Sequence, residues 1–179
     1  MKKKLIVFFG FVLVLVESIG AWAQTAPTKF SGLINDYSPE TTVSPTGPWE
    51  MRGSWQLRLV GKSLQKANFS AEFNMELSDY SIVCCDVDPD MPAERMPHSH
   101  LIKLVGGQVA QLQGGGFEVT GGTLVILKNG SPVLSPSTLT IDVTGGTTAP
   151  YSNITMTFGG DATGHFGTQP VNGNVQRSF

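Results

Sequence analysis

The chain has 179 residues, with 12 Lys and Arg against 14 Asp and Glu and a formal net charge of −2. Few, scattered basic residues on a mildly acidic chain give no electrostatic footprint for a phosphate backbone, so nucleic acid is not an expected partner. The two cysteines, Cys84 and Cys85, are adjacent; their Cα atoms, about 3.8 Å apart, admit only a strained ring that closes no useful loop, so the fold does not rest on disulfides.

The N-terminus reads as a secretory leader. Lys2, Lys3 and Lys4 precede an apolar run from Leu5 to Val16, and Ala21-Trp22-Ala23 forms a small-x-small cleavage site. The run is shorter than the roughly 20 residues of a transmembrane helix, and no later segment approaches that length. Residues 1–23 are therefore expected to be a signal peptide and residues 24–179 a single domain, secreted or periplasmic. Gln24 follows the cut where a lipoprotein would carry its acylated cysteine. Without the leader, nine basic and thirteen acidic residues remain, a charge of −4.

The rest of the chain reads as β structure. From Asn68 to Ser78, apolar Phe69, Ala71, Phe73, Met75 and Leu77 alternate with polar residues, the pattern of a half-buried strand. Segments 55–59, 138–143 and 154–158 alternate likewise. Shorter strands are predicted at 30–34, 100–105, 108–112, 117–120, 123–128 and 171–175. Turn signals separate them: Gly106-Gly107, Gly114-Gly115-Gly116, Gly121-Gly122, Asn129-Gly130, Gly145-Gly146, Gly159-Gly160 and Asn172-Gly173. This spacing, with no helical-period segment after the leader, predicts an all-β fold: an antiparallel β-barrel, or alternatively a β-sandwich, of about eight to ten strands. Residues 117–123 and 141–147 echo one another, which one duplicated hairpin or simple reuse of Gly/Thr turn chemistry would explain. Residues 35–48 and 79–97 read as two long loops, the places to look first for a site. A small outer-membrane barrel is disfavoured because Arg177 and Gly173 occupy the last strand and interfacial aromatics are few.

The best candidate for chemistry is His98-Ser99-His100. If His98 opens a strand, the period of two puts both imidazoles on one face, an arrangement suited to zinc or copper. Met91, Met96, Cys84 and Cys85 would supply soft ligands that bias the site toward copper(I), and His165 a third nitrogen. The competing reading has these histidines capping a strand with cross-sheet hydrogen bonds. Asp86, Asp88 and Asp90 are similar to the opening of a calcium loop, but Met91 and Pro97 stand where an EF-hand needs Gly and Glu. Asp161 and His165 could pair, although their glycine-rich surroundings read as a polar loop. No nucleophile elbow is present. The expectation is thus a non-enzymatic binding module for a small ligand or a protein surface. The alternative is a copper- or zinc-binding protein, or a metal-dependent enzyme, built on His98 and His100.

Overall fold

Strand β3 (Lys66–Leu77) shows why the chain folds as it does. Ala67, Phe69, Ala71, Phe73 and Met75 are buried, whereas Asn68, Glu72, Asn74 and Glu76 are exposed. One face must meet a core and the other water. The computed structural model describes residues 28–38, 49–61, 63–77, 97–144 and 153–178. Beside β3 these form β1 (Lys29–Ser38), β2 (Trp49–Val60), β4 (His98–Gln111), β5 (Phe117–Thr120), β6 (Thr123–Lys128), β7 (Ser131–Val133), β8 (Ser137–Thr144), β9 (Asn153–Gly160), the short helix α1 (Thr163–Phe166) and β10 (Val171–Ser178). The leader and the Cys84-Cys85 segment lie outside the described residues.

The neighbours run β3-β2-β1-β10-β9-β8-β5-β4, and β4 pairs back onto β3, closing an antiparallel eight-stranded barrel. The β6–β7 hairpin is added to β4 outside this ring. Closure removes the exposed edges that an open sheet would leave. The interior is filled by side chains, including Trp55, Phe69, Phe73, Phe117 and Phe166, all buried. Arg52, Gln56, Arg58, Glu72 and Lys103 face outward, so the outer faces of β2, β3 and β4 do not form the apolar band of a membrane-spanning barrel. No described helix is long and apolar enough to cross a membrane.

Several expectations are corrected by the pairing. Residues 35–38, read as loop, continue β1 and pair with β2. Gly106-Gly107 is not a turn: β4 runs through it, and Gly106, at φ 72°, marks where its free edge changes partner. Residues 100–105 pair with β6 and residues 108–111 with β5. Asn172-Gly173 also lies within a strand. There a Cβ on Gly173 would stand 2.6 Å from the Leu33 carbonyl oxygen, so glycine is needed for close strand approach, not for turning. The short β7 and α1 went unforeseen. The two echoed segments pair with each other, Phe117 opposite Val143 and Val119 opposite Ile141.

Candidate metal centre

His98 opens β4, and both His98 and His100 are buried while Ser99 between them is not. The period of two therefore delivers two imidazoles to the barrel interior side by side. Their strand is held in register from outside. The Ser99 amide donates to Asn129 Oδ1 at 2.9 Å, and the Asn129 amide donates to the Ser99 carbonyl at 3.0 Å. Asn129 sits at φ 48°, the left-handed position at the β6–β7 turn that asparagine tolerates well.

His165 arrives from α1, which joins β9 to β10. The glycine-rich segment read as a polar loop is thus a single helical turn pinned to the barrel. The Ala162 amide donates to Ser137 Oγ at 2.9 Å, and Ser137 Oγ donates to the Leu134 carbonyl at 2.5 Å. Gly160, at φ 68°, lets the chain leave β9, since a Cβ there would stand 2.5 Å from the Pro136 carbonyl. The anchor is Phe166. It is fully buried, stacks on Phe158 with ring centroids 4.3 Å apart, and meets Phe73 edge-on at 5.8 Å. With Phe166 driven inward, the preceding residue is turned toward β4.

Three ring nitrogens converge as a result. His165 Nε2 lies 2.8 Å from His100 Nε2 and 3.1 Å from His98 Nε2. The ligand atoms of all three histidines lie within 4.8 Å of one another. On the far side of its ring, His100 Nδ1 is 3.2 Å from the Leu127 carbonyl oxygen. A carbonyl only accepts, so Nδ1 carries the proton and Nε2 presents its lone pair to the cluster. A single proton on His165 Nε2 would then have to serve two facing nitrogens. A cation, in contrast, takes all three lone pairs at once. Donors at about 2.0–2.1 Å from a tetrahedral zinc lie roughly 3.3–3.4 Å apart, a few tenths of an ångström beyond the two spacings to His165.

The electrostatics suit neutral ligands. Burial pushes His100 down to about 3, reinforced by the neighbouring charges of His165 and His98. Burial likewise lowers His165 to about 4, with His98 and Lys128 adding to the effect. Both are deprotonated at neutral pH, the form a metal requires.

The surroundings are soft and aromatic. Met75, fully buried, is the cross-strand partner of His98, and Phe73 is that of His100. The Trp49 ring meets His98 edge-on at 5.0 Å, and its Nε1 is buried without a hydrogen-bond partner. Of the anticipated ligands, His98, His100 and His165 come together, while Cys84, Cys85, Met91 and Met96 lie outside the described residues, as do Asp86, Asp88 and Asp90. Asp161 does not belong to the cluster, whose described members are three histidines. Met75 was not singled out from the sequence, although its place in an alternating strand marked it as inward-facing. Comparisons with protein-family models, with curated proteins and with solved structures find no match to this chain, so the site rests on its own geometry.

Proposed function

We propose that this protein is a metal-binding β-barrel in which His98, His100 and His165 hold one zinc or copper ion. The observation that carries the reading is the convergence of three Nε2 atoms, with the His100 tautomer fixed by the Leu127 carbonyl. Backbone-oriented imidazoles of this kind are typical of metal ligands, which donate their second nitrogen to an acceptor outside the site. Three protein ligands leave a fourth position for water, a small anion or the thioether of Met75. Imidazole suits both ions, copper(II) binds such nitrogen sites more tightly than zinc, and a thioether in the shell favours copper(I). The alternative of an apolar ligand held in the barrel mouth is less well supported, because aromatic side chains fill the interior. With the leader-like N-terminus, the proposal extends to an exported protein meeting its metal outside the cytoplasm.

The test is elemental analysis of the untagged protein, followed by titration with zinc, copper(II) and, anaerobically, copper(I). Near-stoichiometric metal that disappears in a His98→Ala/His100→Ala variant with unchanged circular dichroism supports the reading. A protein that purifies without metal, and whose unfolding temperature responds to none of the three ions, overturns it.

A further inference from the structure

We infer that a second site, a groove on the outer face of the barrel across β10, β1, β2, β3 and β4, binds a multiply charged oxyanion bearing phosphate, sulfate or carboxylate groups. The groove has a volume of about 660 Å³, and Lys29, Arg58, Lys103 and Arg177 line it together with uncharged polar residues. These cations are far apart in the sequence and meet only through strand register. Lys29 pairs with Arg58, which pairs with Asn68. One step along the outer face, Arg177 pairs with Ser31, Ser31 with Gln56, Gln56 with Ser70, and Ser70 with Lys103. The two rows lie about 7 Å apart, and adjacent strands about 4.8 Å apart. The result is a floor of hydroxyl and amide groups with a positive charge at each end and two more along one side.

Two features make this a binding surface for anions. First, no carboxylate lines the groove among the described residues. Arg58, Lys103 and Arg177 make no ion pair there among the described residues. On a chain of net charge −2, such a concentration is not a consequence of composition. Second, the charges are segregated along the strands. β1 runs from Lys29 to Asp36, β2 from Glu50 to Arg58, and β3 from Lys66 to Glu76, so carboxylates gather toward the histidine end. Along β2 about seven residues, near 23 Å of strand, separate Met51 from Arg58, whereas on β4 Lys103 follows His100 by three residues and faces outward where His100 is buried.

The donor chemistry defines the ligand. Two guanidinium groups offer the planar fork that matches phosphate, sulfate and carboxylate bidentately, and Ser31, Ser70, Gln56 and Asn68 add neutral hydrogen bonds. The aromatic rings in the lining, Phe30 and Phe69, are buried in the core and offer no stacking platform. Charge and hydrogen bonding, not base or ring stacking, would therefore hold the ligand. This site uses none of the histidines and stands or falls separately from the metal centre.

The experiment is calorimetric titration of the full chain at low ionic strength with inositol hexakisphosphate, with a sulfated disaccharide and with vesicles of phosphatidylglycerol in phosphatidylcholine. The expected result is saturable, salt-sensitive binding that weakens at least about tenfold in Arg58→Gln/Lys103→Gln. It should persist in Lys128→Gln, which removes a cation outside the groove. Binding of the soluble probes identifies a free anion as the ligand, and binding of vesicles alone identifies a lipid headgroup; either supports the site. All these positions except Lys128 are exposed, so unchanged unfolding temperatures will confirm that the variants fold. Failure of all three probes to bind, or equal loss in the groove and Lys128 variants, overturns the inference.

Discussion

His100 Nδ1 donates to the Leu127 carbonyl oxygen across 3.2 Å, and this one bond decides which nitrogen the barrel interior receives. Leu127 is on β6, the strand outside the eight-stranded ring, and β6 pairs with the same stretch of β4 that carries His100. The extra hairpin thus supplies an acceptor that the closed barrel alone would not place there. Its turn residue, Asn129, holds the same strand through the Ser99 backbone. The candidate centre is built by three separate elements: β4 for two ligands, α1 for the third, and the β6–β7 hairpin for their orientation.

The buried imidazoles make the stability of the metal-free protein depend on acid. The folded values of His100 and His165 are about 3 and about 4, with His98 and Lys128 the facing positive partners. An unfolded histidine titrates near 6.5. Below pH 6.5 the unfolded chain therefore binds more protons than the folded one. The stabilisation is fully present above pH 6.5 and is lost as pH falls toward about 4 for His165 and about 3 for His100, by up to about 1.4 kcal/mol per pH unit for each group. Urea unfolding of chelator-treated protein between about pH 7.5 and about pH 4.5, the upper part of the window, checks this, with His165→Phe, which leaves His100 titrating, as the control that should reduce the slope. A slope identical in wild type and variant would refute the linkage.

Phe166 has a consequence that reaches beyond its own packing. It is fully buried against Phe158, Phe73 and His100, and it is the side chain that aims its neighbour His165. Phe166→Ala should cost about 3–5 kcal/mol, as for other buried aromatic truncations. It should also weaken zinc or copper binding although no ligand is altered. Phe166→Leu, which keeps most of the apolar volume, should recover much of the stability. Denaturant unfolding and metal titration of both variants supply the comparison. Full metal affinity in a folded Phe166→Ala protein would show that α1 finds its place without the anchor.

How far the sequence revealed this arrangement follows from the range of each signal. Alternation is local, so β5 and β6 fall at their predicted bounds and the barrel class is correct. The H-x-H pair on one face is equally local, because the period of two operates over three residues. Gly106-Gly107 and Asn172-Gly173 misled because glycine serves both turns and close strand contacts, and only the neighbouring strand distinguishes them. His165 could be named as a third nitrogen by its chemistry. Its meeting with His98 and His100 depends on α1, a four-residue helix too short for any helical period to register. Met75 and the cationic groove depend on cross-strand register, which a single sequence leaves undetermined.

Met75 is the residue that would distinguish copper from zinc at the proposed centre. It is fully buried and directly opposite His98 on the neighbouring strand, where paired Cβ atoms lie about 4.5–5.5 Å apart. A thioether prefers copper(I) and contributes little to zinc. Met75→Leu conserves volume and should cost less than about 1.5 kcal/mol in stability. Copper(I) affinity should fall while zinc affinity holds, measured by competition with chelators of known strength. An equal change for both ions would exclude sulfur from the shell and favour a site of three imidazoles with an exogenous fourth ligand.

The β6–β7 turn brackets the histidine strand through Asn129. Asn129 does two things at once: it adopts φ 48°, and its Oδ1 accepts from the Ser99 amide at 2.9 Å. Two substitutions divide these roles. Asn129→Gly keeps the positive φ at no steric cost but loses the side-chain acceptor, a change of about 1 kcal/mol. Asn129→Ala loses the acceptor and also places a Cβ in the left-handed region, adding roughly 1–2 kcal/mol. Stability should therefore fall in the order wild type, Asn129→Gly, Asn129→Ala, as read by denaturant midpoints. Metal affinity discriminates between the roles in a different way. If the Ser99 bracket positions His98 and His100, both variants lose affinity, and Asn129→Gly loses it despite its milder effect on folding. Should Asn129→Gly bind metal as wild type does, the strand is held by its pairing with β3 and β6 alone, and the side-chain bracket serves only the turn.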